Sequence, residues 1–129
     1  LDNNNSKGDS EIFAIDYAIR NSKIIEPIDF IIKITGRYFI SELQDYVIHN
    51  DLKKYDCLTQ QDKDRCEMVG CSYNLFNFIF NPKINCPHRG HIESIWKQRA
   101  SLYKNTLTCK LFSIEKTIRG GDNSYFNTI

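Results

Sequence analysis

The sequence predicts a small single domain of the α+β class, with several short helices, a few short strands and a disulfide-bonded central loop region. Three observations lead there. Apolar residues recur at helical spacing in separate stretches, β-branched residues alternate with polar ones elsewhere, and four cysteines crowd the middle of the chain. A chain of 129 residues suits one domain that buries about two-thirds of its unfolded surface. Composition divides it into a flexible tail over 1–10, a helical and mixed segment over 11–56, a disulfide-bonded region over 57–90, and a helix with C-terminal strands over 91–129.

The tail is rich in Asn, Gly and Ser. Ser10 then reads as an N-cap, and Ile12, Ile15, Ala18 and Ile19 repeat at helical spacing, predicting a helix over 11–22. Glu26-Pro27 interrupts it. Over 28–34, Ile28, Phe30, Ile32 and Ile34 alternate with Asp29 and Lys33. Ile28, Ile31 and Ile32 also satisfy a helical period, and the β-branched content decides for a strand. Thr35-Gly36 is a turn. Phe39, Leu43, Tyr46 and Val47 predict a helix over 38–49, ended by Asn50-Asp51.

Further on, the charged stretch 60–68 accommodates two helical turns closed by Gly70. The aromatic-dense stretch 75–80 reads as extended and buried, and Asn81-Pro82 and 86–90 as loop. Ile92, Ile95, Trp96, Arg99 and Leu102 form a helical stripe over 91–104. Leu107, Cys109 and Leu111 alternate with Thr106, Thr108 and Lys110, the pattern of a half-buried strand. Residues 119–123 make a turn before a short terminal strand over 125–129.

Several function classes lose their grounds at this level. The formal net charge is +1, from 17 Lys and Arg against 16 Asp and Glu. The two signs are interspersed, so no basic face argues for nucleic acid or an anionic membrane. No apolar stretch approaches the roughly 20 residues that cross a bilayer, so no membrane insertion is expected. Phosphate-loop, nucleophile-elbow and zinc-protease motifs are all missing, and the acidic residues Asp62, Asp64 and Glu67 interleave with Lys63 and Arg65 as on a solvated face. The expectation is a chain without catalytic residues and without a cofactor. It opens Leu1-Asp2-Asn3, with neither an initiator Met nor an apolar leader, which reads as a processed or recombinant fragment.

Cysteine carries the most information. Of five cysteines, Cys57, Cys66, Cys71 and Cys86 fall within thirty residues, while Cys109 stands apart. Such clustering points to a local disulfide framework in an oxidising compartment, hence to a secreted, extracellular or lumenal protein. The sequon Asn4-Asn5-Ser6 agrees. The competing reading is zinc, held by Cys66, Cys71, Cys86 and His88, with His91 to spare. Cys109, on the buried side of its strand, is expected to be a free thiol or to bridge to another chain.

The phrase Cys66-Glu67-Met68-Val69-Gly70-Cys71-Ser72-Tyr73, preceded by Cys57 and followed by Cys86, resembles the P-type (trefoil) motif. Four of that family's six cysteines are present, and Ser72 stands where its fifth would be. The resemblance implies a non-catalytic module that binds glycans or proteins, and it maps two of the family's bridges onto Cys57–Cys71 and Cys66–Cys86. Four cysteines allow three pairings. A helix ending near Cys66 with a reversal at Gly70, which carries Cys71 back toward Cys57, favours the same crossed one. A second likeness lies at the end of the chain. Residues 122–129 are similar to the strand that opens pepsin-like aspartic proteases, with Asn127 in place of the family's Gly and the catalytic motif missing, which implies a pro-segment or accessory chain.

The function expected from all this is a binding or assembly module that contacts another protein chain or a glycan. Its expected contact residues are the aromatics Tyr73, Phe76, Phe78, Phe80 and Trp96, since large aromatics concentrate at interface centres.

Overall fold

The computed structural model describes residues 7–61, 67–81, 91–118 and 123–129. Its elements are helix α1 (Lys7–Asn21), strand β1 (Phe30–Ile34), helix α2 (Leu43–Asn50), strands β2 (Cys57–Gln60) and β3 (Met68–Ser72), helices α3 (Phe76–Phe80) and α4 (Ile92–Ala100), and strands β4 (Thr106–Cys109), β5 (Ser113–Ile118) and β6 (Tyr125–Thr128). The α+β class expected from the sequence holds for this set.

The first four strands form one sheet in the order β1-β3-β2-β4. β3 runs antiparallel to both β1 and β2, whereas β2 and β4 are parallel. Consequently β1, β2 and β4 all end at the same edge, where β3 begins. β5 and β6 make a separate antiparallel pair, extended by reciprocal backbone hydrogen bonds between Phe112 and Ile129.

Both faces of the sheet are covered. On one side Cys57, Val69 and Cys71 pack with Ile12 of α1, Phe76, Ile79 and Phe80 of α3, and Trp96 and Ala100 of α4. On the other, Leu58, Met68 and Cys109 pack with Ile40, Leu52, Phe112 and Ile129, and with Leu43, Tyr46 and Val47 of α2. The strands are therefore apolar on both faces, as in a sheet between two layers.

Several local expectations change. Helix α1 starts at Lys7, so Ser10 lies inside it rather than capping it, and part of the expected tail is helical. The aromatic stretch is not extended: Tyr73–Leu75 forms a 3-10 turn and Phe76–Phe80 a helix. Phe76 and Phe80, four residues apart, thereby share one helix face with ring centroids 5.6 Å apart.

Both ends of the helix expected over 60–68 belong to strands, with Gln60 in β2 and Met68 in β3; residues 62–66 lie outside the described set. Gly70 closes no helix. It sits in the middle of β3 opposite Ile32, where a Cβ would fall 2.7 Å from a ring carbon of Phe30 and 3.0 Å from the Ile31 carbonyl. Glycine serves close approach of neighbouring strands there, not a reversal. Ser113–Ile118, which drew no expectation from the sequence, is β5.

Candidate functional site at the carboxyl edge of the sheet

The edge where β1, β2 and β4 end collects polar side chains that a sheet covered on both sides would ordinarily exclude. Thr59 and Gln60 at the end of β2 are both buried. Lys33, near the end of β1, has a side chain only 8% exposed. Lysine is almost never buried this far unless paired, and here it is. Its Nζ lies 2.6 Å from Oε1 of Glu11 on α1. It also donates to Thr35 Oγ1 at 3.3 Å, and Thr35 Oγ1 donates to Glu67 Oε2 at 2.7 Å. The Thr35 N–H donates to the Glu67 carbonyl at 3.1 Å, which ties the β1 exit to the β3 entry.

Register explains how these groups meet. Lys33 pairs with Val69 and Ile31 with Cys71, so Ile31, Lys33, Val69 and Cys71 share the face covered by α1, α3 and α4. Lys33 Nζ lies 4.8 Å from the centre of the Trp96 ring, a cation–π contact. The indole is fully buried, and its Nε1–H has no acceptor among the described residues. Gln60 faces the opposite layer. Its Oε1 accepts from the Met68 N–H at 3.2 Å, and its Nε2 has no partner among the described residues.

Arg37 follows the turn and is exposed. Its guanidinium is held still more firmly protonated than usual, chiefly by Tyr38, whose ring lies 5.6 Å away. Partial burial opposes this, and Glu67 and Glu11 reinforce it. A Cβ at Gly36 would meet nothing within 4 Å, so the turn borders open space. The edge thus presents alternating donors and acceptors from α1, from β1 and the turn after it, and from the residue that precedes β3, two of them cations and two carboxylates.

The cysteines tell a different story from the one expected. Cys57 lies directly across from Cys71 in the β2–β3 ladder, and both are fully buried free thiols. The Cys57–Cys71 bridge is absent and with it the trefoil motif: the ladder itself holds these strands together, and the two thiols are part of the apolar core. The proposed Cys66–Cys86 bridge lies outside the described residues. The case for a secreted or lumenal chain rested on disulfides and gains no support from these thiols.

Of the alternative zinc ligands, Cys71 is in that core, while Cys66, Cys86 and His88 lie outside the described residues. Among the described residues no group of three or more His, Cys, Asp or Glu is placed to hold a metal. Cys109 is buried in the other core cluster beside Phe112 and Met68.

Burial pushes the Cys57 thiol up to about 12, with Asp56 adding to the effect. Burial pushes Cys71 up as well, and Cys57 adds to it. Raised values favour the protonated thiols in the folded state. The stability they contribute is therefore complete below the ordinary thiol value of 9.0 and falls as pH climbs from there toward about 12. We expect iodoacetamide at pH 8 to leave Cys57 and Cys71 unmodified in the native protein and to label both in urea, as read by peptide mass mapping. Rapid native labelling at either position contradicts their burial.

The aromatics expected at a contact surface divide. Phe76, Phe80 and Trp96 are buried, whereas Tyr73 and Phe78 are half-buried. Phe80 meets Trp96 edge to face at 5.3 Å, and Phe78 meets Tyr103 at 6.0 Å. The large aromatics that do face solvent include Phe13 and Tyr17, stacked on α1 with centroids 6.3 Å apart.

Sequence reasoning passed over Glu11, Thr35 and Gln60 as site residues, and it read Glu67 as part of a solvated face, whereas Glu67 is partly buried and accepts from Thr35. Lys33 was read as one of the outward polar residues of an alternating strand. The signal against that reading was Ile31, an apolar residue on the supposed polar face, which marks a strand covered on both sides.

No protein-family model matches the chain, and no curated protein or solved structure matches it either. Nor does the terminal strand support the likeness to pepsin-like proteases: Tyr125–Thr128 is paired with β5 in a two-stranded hairpin, and no member of that family matches.

Proposed function

We propose that this chain is a binding module, not a catalyst, and that the carboxyl edge of its sheet is where a ligand sits. The buried Lys33 carries the reading. An isoleucine at that position would extend the apolar face that Ile31 begins, and replacing a buried ion pair by apolar side chains commonly leaves stability unchanged or improved. A lysine kept there, with buried Thr59 and Gln60 at the same edge, fits the tendency of local folding rules to be broken at functional sites.

The test separates folding from binding. Lys33→Met retains most of the side-chain volume, and it leaves Glu11, whose side chain is 34% exposed, able to hydrate. We expect its stability to remain within about 1 kcal/mol of the parent or to rise. Ligands that raise the melting temperature of the parent in a panel of small polar molecules should fail to raise that of the variant. A loss of more than about 3 kcal/mol would make Lys33 a folding residue and remove the basis of the proposal.

A second reading rests on a different observation. Phe13 and Tyr17 are 63% and 61% exposed and stacked on one side of α1. A paired aromatic surface of this kind supports contact with another protein, as expected of an assembly module.

A further inference from the structure

The composition of the carboxyl edge bears on what it binds. We infer that the ligand is a small, neutral, hydroxyl-rich molecule of the saccharide class, which rests on the edge being a ligand site. The charges at the edge cancel: Lys33 and Arg37 stand against Glu11 and Glu67, and these are interleaved, since Lys33 contacts Glu11 and, through Thr35, Glu67. An anion drawn to either cation meets a carboxylate beside it, and a cation meets an ammonium or guanidinium.

A hydroxyl group faces no such conflict. It accepts from Lys and Arg and donates to a carboxylate, so a run of neighbouring hydroxyls matches a row in which donors and acceptors alternate. Hydrogen bonds to charged groups are also the stronger kind, which allows a neutral ligand to compete with water.

The indole of Trp96 points the same way. Its ring lies against the Lys33 ammonium, and its buried N–H donor has no acceptor among the described residues. A buried donor without a partner is costly to leave unmade. The indole is fully buried, so a ligand affects it through Lys33, whose ammonium a hydroxyl oxygen engages without importing charge. Gly36 leaves open space at the turn beside the cluster, where a side chain would otherwise stand.

Trp96 is the only tryptophan in the chain, so its emission and its single indole N–H resonance are free of overlap, and its contact with Lys33 couples them to this edge. The experiment titrates the ¹⁵N-labelled protein with glucose, N-acetylglucosamine, cellobiose and a free oligomannose chain, and in parallel with inorganic phosphate and magnesium chloride. The expected result is a saturable shift of the Trp96 indole resonance, with shifts in the amides of residues 33–37 and 67, for at least one saccharide and for neither salt. A monosaccharide response identifies a free sugar, and a response to the oligomannose chain alone identifies a glycan.

Thr35→Val, which keeps the side-chain shape and removes the central hydroxyl, should weaken that saccharide at least tenfold while its circular dichroism matches the parent's. Saturation by phosphate or magnesium without any saccharide leaves the site standing and overturns the ligand class. No saturable change at these resonances with any probe overturns the site itself. An unweakened Thr35→Val places the saccharide elsewhere and overturns the inference.

Discussion

Replacing Trp96 by alanine should destabilise the protein by about 3–5 kcal/mol. The indole is fully buried in the cluster made by α1, α3, α4 and one face of the sheet. It meets Phe80 edge to face at 5.3 Å and lies under the Lys33 ammonium at 4.8 Å. Truncation removes all of these contacts and opens a cavity between two helices and the sheet, which close-packed surroundings fill only in part. It also strips the aromatic face from a buried ammonium. Trp96→Phe keeps a ring against Phe80 and should cost clearly less. Urea titrations followed by far-ultraviolet circular dichroism compare the variants without relying on tryptophan emission. A loss below about 1 kcal/mol for the alanine variant would show that the site collapses readily and that the packing described here is not what holds α4 to the sheet.

Arg99→Ala should follow closely, at about 2–4 kcal/mol. Arg99 is buried on α4, and its Nη1 donates to the carbonyls of Phe78 and Ile79 at 3.1 Å each and to that of Asn81. These belong to the end of α3, where helical carbonyls have no partner further along the helix. The guanidinium supplies the cap that a short helix ending at an extended Asn81 lacks. Without it several partly or fully buried acceptors are left unmade, each costing about 1–3 kcal/mol if water does not reach it. Arg99→Met separates the contributions, because it retains the apolar stem and loses only the donors. If methionine restores most of the loss, packing and not capping is Arg99's role. If it does not, the hydrogen bonds to α3 dominate.

These two residues also show how far local pattern carries. The stripe Ile92, Ile95, Trp96, Arg99 and Leu102 was enough to predict a helix, but Trp96, expected at a contact surface, is buried and Leu102, beyond the helix end, is exposed. That Arg99 lies inward as well was visible in the same stripe. Its three acceptors were not, because they lie about twenty residues away in a stretch expected to be extended. Alternation likewise sufficed for Thr106–Cys109, whose polar and apolar residues keep a strict period of two. The same period misled at β1, where Lys33 counts as solvent-facing only if one side of the sheet is bare.

The cysteines mark the same boundary from the other side. The trefoil-like phrase and an expected reversal at Gly70 suggested that Cys71 bridges Cys57; the register does set the two opposite each other, yet the strands are joined by backbone hydrogen bonds and the thiols stay free. Sequence spacing constrains which residues a chain reversal brings near one another. It carries no information on whether the neighbourhood becomes a covalent staple or an apolar core, because that depends on what packs over it. Here Val69, Phe76, Ile79 and Trp96 share that cluster.

The α+β class, the approximate positions of α1, α2, α4, β1, β4 and β6, and the near-neutral charge balance were all legible in the amino-acid order. All of these follow from composition and from periods of two or 3.6 residues, which act over a few neighbours. The covering of the sheet on both faces, the role of Gly70 in strand approach, and the convergence of Glu11, Lys33, Thr35 and Glu67 at one edge came only with the three-dimensional arrangement. Those residues come from a helix, a strand, a turn and a strand entry spread over fifty-seven positions. Their meeting depends on strand order and register, which are set by the burial of the whole chain rather than by any segment of it.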